Sequence, residues 1–179
     1  LSRDVSLFLV ASGQVFCSSS FSVLFLFVCT TAKMMITIIT PGSSISTYQT
    51  EFGKFGFMVC YDIRFPELSR LYALEGIDVL YVTANFNDPK RDHWLNQLKA
   101  RALENQIYVA AVNRSGKNYF GNSVIVNPAG EIILNAGRSE GIYSGFIDLS
   151  FIKAVRQEFP LFNDRREDVY NLSLKRGES

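Results

Sequence analysis

The run Phe55-Gly56-Phe57-Met58-Val59 is apolar on both faces, ends in Cys60, and is followed at once by Tyr61-Asp62-Ile63-Arg64-Phe65-Pro66-Glu67-Leu68. A strand with no polar face must be covered on both sides, as in a sheet held between two layers. Pro66 suits the first turn of a helix, where its missing N–H has no intrahelical partner to lose. Glu67 then places negative charge at the positive end of the helix dipole. The stretch reads as strand, short turn and helix, with Cys60 at the junction. Backbone N–H groups point outward at such a junction, which lowers a thiol's pKa and favours the thiolate. Free cysteine is also among the most buried residue types and often serves as a small hydrophobe. The polar cluster Tyr61, Asp62, Arg64 and Glu67 favours a nucleophile, because a plain core strand has no use for four such groups.

Strand and helix patterns alternate around this centre. Ile45–Thr50 reads as a short strand that turns through Glu51-Phe52-Gly53-Lys54 into the central one. The helix from Pro66 to Glu75 carries Leu68, Leu71, Tyr72 and Leu74 on one side and stops at Gly76. Val79-Leu80-Tyr81-Val82 is a second buried strand, running out into the polar loop Thr83–Pro89. Helical spacing of Trp94, Leu98 and Ala102 marks a helix over 91–105, and Ile107–Val112 is a third buried strand ending at Asn113-Arg114-Ser115-Gly116. Ser123–Val126, the turn Asn127-Pro128-Ala129-Gly130, Glu131–Leu134 and Gly141–Ile147 read as an antiparallel meander. Leu149–Glu158 is an amphipathic helix that Pro160 stops, and a charged tail follows from Asn163. The order implies an α/β (α+β) domain, a mixed sheet with helices packed outside.

Composition narrows the functional classes. At 179 residues the chain holds one domain with a real core, and 47% hydrophobic with 20% charged residues is globular. A formal net charge of +1, without a basic run, makes no electrostatic case for nucleic acid or an acidic membrane. Cys17, Cys29 and Cys60 are odd in number and lack metal-ligand spacing, which argues against a disulfide framework and for a reducing, cytoplasmic setting. His93, the one histidine, excludes a multi-histidine metal site. The first forty residues differ in texture: Val5–Ala32 holds no charge, and Phe21–Cys29 is strongly apolar. A signal peptide or membrane anchor, buried strands, and a segment foreign to the fold all remain open readings of it.

The block Cys60-Tyr61-Asp62-Ile63-Arg64-Phe65-Pro66-Glu67 resembles the nucleophile motif of the nitrilase, or carbon–nitrogen hydrolase, superfamily. Agreement continues through Asn85, His93-Trp94, Arg101–Gln106, Asn127–Glu131 and the tail Arg165–Tyr170, covering about Pro41 to Leu172 in unbroken order. The resemblance is strongest to the omega-amidase-like branch. It implies a four-layer α-β-β-α sandwich, here incomplete at its N-terminus, that usually dimerises. It also implies a cofactor- and metal-free reaction in which cysteine attacks a small carboxamide, forms a thioester and releases ammonia. On that basis Cys60 takes the nucleophile's place, and the Tyr61 backbone N–H is the oxyanion donor. Asn85 and Phe86 are substrate-pocket candidates, and Arg64 and Glu67 are expected to brace the turn as an ion pair. His93 and Trp94 are expected to be structural, and Arg101 and Glu104 to pair at i,i+3.

The departures carry equal weight. The family's reaction also uses a glutamate and a lysine from earlier in the chain, yet Leu1–Thr40 contains no glutamate and only one lysine, Lys33, too near the Pro41-Gly42 loop to match. The expected division is therefore 1–40 as an atypical segment, 41–172 as the C-terminal part of the hydrolase domain, and 173–179 as a tail. A one-base frame slip ahead of Pro41 and a genuinely altered homologue both explain the mismatch. So do two activities: an amidase by descent, or a catalytically silent homologue or binding module that keeps the sandwich core.

Overall fold

The computed structural model describes residues 4–11, 42 and 44–173, the first of these stretches by its backbone. The expectations for Phe21–Cys29, Lys33 and the stretch ahead of Pro41 lie outside the described residues. The strands are β1 (Asp4–Ala11), β2 (Thr47–Thr50), β3 (Gly53–Val59), β4 (Val79–Ala84), β5 (Tyr108–Asn113), β6 (Ser115–Gly116), β7 (Tyr119–Phe120), β8 (Val124–Val126), β9 (Ile132–Asn135) and β10 (Gly141–Asp148). The helices are α1 (Pro66–Leu74), α2 (Arg91–Asn105) and α3 (Ser150–Glu158), and a 3-10 turn spans Cys60–Arg64.

Six strands form the main sheet in the order β2-β3-β4-β5-β8-β9. Its centre, β3-β4-β5, is parallel, because α1 and α2 carry the chain back across the same face between successive strands. That face holds the larger core: Met58, Leu80, Val82, Val109, Ala111, Val124 and Val126 pack under Tyr72, Trp94, Leu98 and Ala102. The opposite face, with Val79, Tyr108, Ala110 and Ile125, packs on Ile147 of β10 and Ile152 of α3. A layer of helices, a six-stranded sheet and a two-stranded second sheet thus stack in order. Among the described residues no helix is long and apolar enough to cross a membrane.

Two local devices set the spacing around the central strand. Gly56 of β3 sits where a Cβ would come within 2.7 Å of the Tyr72 ring, so α1 approaches closely only because no side chain intervenes. Gly76, at φ 79°, closes α1 where a residue with a Cβ would be strained. Helix α2 presents Trp94, Leu98, Arg101, Ala102 and Asn105 on its buried stripe. Asn105 Nδ2 reaches Ser69 Oγ of α1 at 3.2 Å, tying the two helices together.

Two expectations need correction. The buried stripe of α1 is Ser69, Tyr72 and Ala73, with Leu68 packed against the same core as expected, while Leu74 is exposed; Ser69 faces Asn105 of α2. The segment Gly141–Asp148 is not a third member of the meander. It leaves the six-stranded sheet and pairs antiparallel with β1, from Asp4↔Asp148 to Ala11↔Gly141. A Tyr108 hydroxyl bond to the Asp148 carbonyl, 2.9 Å, holds its end over β5.

Candidate active site

At the carboxyl ends of the parallel strands, Val59 of β3 pairs with Thr83 of β4, and Ala84 of β4 with Asn113 of β5. Cys60, Asn85 and Phe86, each one or two residues past a strand end, therefore meet at one edge of the sheet, where open α/β sheets usually bind ligands. Cys60 is half-buried against the larger core and has φ 48°. That is left-handed backbone, which an L-residue enters at a cost of roughly 1–2 kcal/mol. A left-handed residue leading into a helical turn gathers successive N–H groups into a concavity that favours negative charge. The early N–H groups of a 3-10 turn, Tyr61's included, have no acceptor within the turn itself.

The turn is held from three sides. Asp62 Oδ2 accepts the Val59 N–H at 2.9 Å, and the Asp62 carbonyl accepts the Phe65 N–H at 3.0 Å. From α2 the buried Arg101 guanidinium donates twice to the Ile63 carbonyl, from Nε at 3.1 Å and from Nη2 at 2.9 Å. Its Nη1 pairs with Glu104 Oε1 at 2.9 Å, the expected i,i+3 ion pair. The sequence pattern revealed that pair but not the clamp on Ile63, which joins residues thirty-eight positions apart.

The expected Arg64–Glu67 ion pair does not form. The Arg64 guanidinium instead lies over the Tyr61 ring at 5.4 Å and the Phe86 ring at 5.2 Å, bracing the turn against the end of β4 through cation–π contacts. Glu67 lines a separate concavity of about 430 Å³ with Arg70, Glu104 and Arg165. Arg64 ends the 3-10 turn and Glu67 opens α1, with the extended Phe65 between them turning the two side chains apart. A second concavity, about 380 Å³, lies between Leu103, Gln106, Phe151 and Phe159; neither includes Cys60.

Phe86 is buried against Trp94 at 5.3 Å, and Trp94 Nε1 donates to the Asn122 carbonyl at 2.8 Å, so Trp94 is structural as expected. His93 begins the same helix on its exposed side. Sequence reasoning passed over Asn113, whose side chain bonds both backbone groups of Phe86. Its signal was a polar residue closing an apolar strand. Glu51, the acid that precedes Cys60 most closely in sequence, sits in the β2–β3 turn at the opposite end of the seven-residue β3, about 20 Å from Cys60. Asp62 is the acid nearest in sequence, and its Oδ2 is engaged by Val59. Among the described residues no three His, Cys, Asp or Glu side chains gather so as to hold a metal ion.

The profile described as carbon-nitrogen hydrolase matches residues 18–157, a span that includes 18–40, where none of the motif blocks lies. The chain is 40% identical over 136 residues to the 2-oxoglutaramate amidase of Bacillus subtilis, covering 74% of this chain and 52% of that one. It is 38% identical over 144 residues to the omega-amidase NIT2-A of Xenopus laevis, covering 77% and 52%. Among solved structures it resembles an amidase from Nesterenkonia sp. AN1, with TM-score 0.63 and 26% identity over 73% of this chain and 48% of that one. That structure, of a glutamate-to-glutamine mutant, shows covalent addition of the acetamide moiety of fluoroacetamide at the active-site cysteine. The chain spans about half the length of the curated relatives it matches.

Proposed function

Because the chain belongs to the carbon–nitrogen hydrolase family, we propose that Cys60 is the nucleophile of a site built for small carboxamides of the omega-amide class. The Cys60 sulfur bonds to the amide carbonyl carbon, and the charge that develops on oxygen is met by the Tyr61 N–H. The C–N bond then breaks, the nitrogen leaves as ammonia with the protons it has gained, and a thioester remains. Water cleaves the thioester to acid and free thiol. Asn85 and Phe86 form one wall of the pocket. The proposed reaction uses neither metal nor cofactor, and the proposed working form is a cytoplasmic homodimer or higher homo-oligomer with no nucleic-acid or membrane partner.

The observation that carries this reading is the left-handed Cys60 at the join of β3 and its 3-10 turn. A small hydrophobe has no need of that conformation, and holding it requires the Asp62 and Arg101 contacts.

A second reading, a catalytically silent homologue, concerns these 179 residues taken by themselves. The first glutamate in the sequence is Glu51, which lies far from Cys60. Loss of a general base costs about 10²–10⁴ in rate and of one oxyanion donor about 10²–10³, and such losses need not multiply. The 179-residue chain is therefore expected to release little ammonia from small omega-amides, with Cys60→Ala changing that release little. An ammonia assay on both proteins decides. Robust, Cys60-dependent release would mean that an acid outside the family pattern, such as Asp62, serves as the base.

A further inference from the structure

Asn113 is the last residue of β5 and fully buried, and the reaction proposed above makes no use of it. Its Oδ1 accepts the Phe86 N–H at 2.7 Å, while Nδ2 donates to the Phe86 carbonyl at 3.1 Å and to the Gly121 carbonyl at 2.8 Å. One carboxamide thus meets both backbone groups of a residue two positions past the end of β4. Asn113 is itself pinned. Its N–H donates to Ser123 Oγ at 3.1 Å, and that hydroxyl donates to the Asn113 carbonyl at 3.2 Å.

The consequence follows from strand geometry. At the end of β4 the ladder is still running, since the Arg114 N–H donates to the Ala84 carbonyl at 3.1 Å. In a parallel ladder the N–H and C=O of one residue address one neighbouring strand, and those of the next residue address the other. Ala84 and Phe86 address β5 and its Asn113 side chain, so Asn85 between them turns its main-chain groups toward β3, which ends at Val59-Cys60. We infer that Asn113 is a positioning residue for the Cys60 site: its carboxamide stands in for a further stretch of β5 backbone and holds Asn85–Phe86 extended, with the Asn85 main-chain groups facing the Cys60 turn. The inference rests on Cys60 being the nucleophile.

The test uses the full chain with Asn113→Leu, which removes all three bonds, and Asn113→Asp, which keeps the shape and the acceptor but loses both donors. One readout is hydrogen-exchange protection of the Phe86 amide, with the Leu80 amide as internal reference for the fold. The other is the rate of Cys60 alkylation by 2-chloroacetamide divided by its rate of reaction with methyl methanethiosulfonate. In the first reaction sulfur displaces chloride, and the thiol proton goes to solvent. In the second it displaces methanesulfinate from a reagent with no N–H, which reports bare thiol reactivity.

Asn113→Leu is expected to lose Phe86 protection tenfold or more while Leu80 is unchanged, and to lower the ratio about tenfold, one hydrogen bond's worth. Asn113→Asp is expected to retain Phe86 protection and to lower the ratio at least threefold. A ratio unchanged once Phe86 protection is lost makes Asn113 purely structural and overturns the inference. Unchanged Phe86 protection in Asn113→Leu overturns it too. If Asn113→Leu does not fold, the ratio in Asn113→Asp decides, a threefold fall supporting and no change overturning. If the unaltered protein gives Cys60 no higher ratio than Cys17 and Cys29, the nucleophile reading fails and this inference with it, while Phe86 protection still reports on the clamp.

Discussion

At Cys60 the backbone takes φ 48°, a conformation glycine enters freely and an L-residue does not. β3 fixes the chain before it, and the Asp62 and Arg101 contacts fix the chain after it. Cys60→Gly is therefore expected to be about 1 kcal/mol more stable than Cys60→Ala in urea denaturation, despite glycine's larger unfolded-state entropy. Equal stability, or the reverse order, would contradict strain at this residue. Arg101 supplies the strongest part of the clamp. Arg101→Leu leaves the Ile63 carbonyl without its two donors and should cost about 2–3 kcal/mol. Arg101→Lys should recover less than half of that, since an ammonium cannot place two nitrogens in one plane around the carbonyl. Full recovery by lysine would mean that charge alone, not the fork geometry, holds the turn.

Helix α2 shows how much an element's sequence can reveal. Its span over 91–105 and its stripe of Trp94, Leu98 and Ala102 follow from period alone, and the structure agrees. The stripe is also energetically central. Trp94→Ala is expected to cost about 3–5 kcal/mol, read as a lower urea midpoint with an unchanged slope. A change below 1 kcal/mol would mean that Phe86 and its neighbours collapse into the space. Other elements were not legible. The strands β6 and β7 are two residues each, too short to show a period. β10 looks like a meander strand, but its partner is β1, at the far end of the chain, and local pattern carries no pairing information. The site divides the same way. Cys60 stands out because it ends an apolar run, and Asn85 and Phe86 through the family resemblance, whereas the Asn113 and Arg101 contacts join residues 27 and 38 positions apart.

For the whole molecule the two faces of the sheet have different consequences. The face under α1 and α2 is closed, whereas the other, toward β10 and α3, leaves Phe57 36% and Val59 45% exposed near the site. Tyr81 lies on that second face, stacked on Phe57 at 5.7 Å, and burial pushes its phenol from 10.0 up to about 12. Below pH 10 the phenol is neutral in both folded and unfolded chains. Between pH 10 and about 12 only the unfolded chain ionises, so stability falls across that window, by at most about 3 kcal/mol, and then levels off. Tyr81→Phe should flatten this part of the alkaline profile in urea titrations. An unchanged slope would place the phenol in water.

The closed and open faces together leave Cys60 at an edge where strand ends, strained backbone and a buried guanidinium converge. The claim that this cysteine is the nucleophile is tested most directly by treating the folded chain with limiting 2-chloroacetamide and mapping the peptides by mass. One adduct per chain, on Cys60 and ahead of Cys17 and Cys29, is the expected result. Equal labelling of all three, or protection of Cys60 alone, would contradict it.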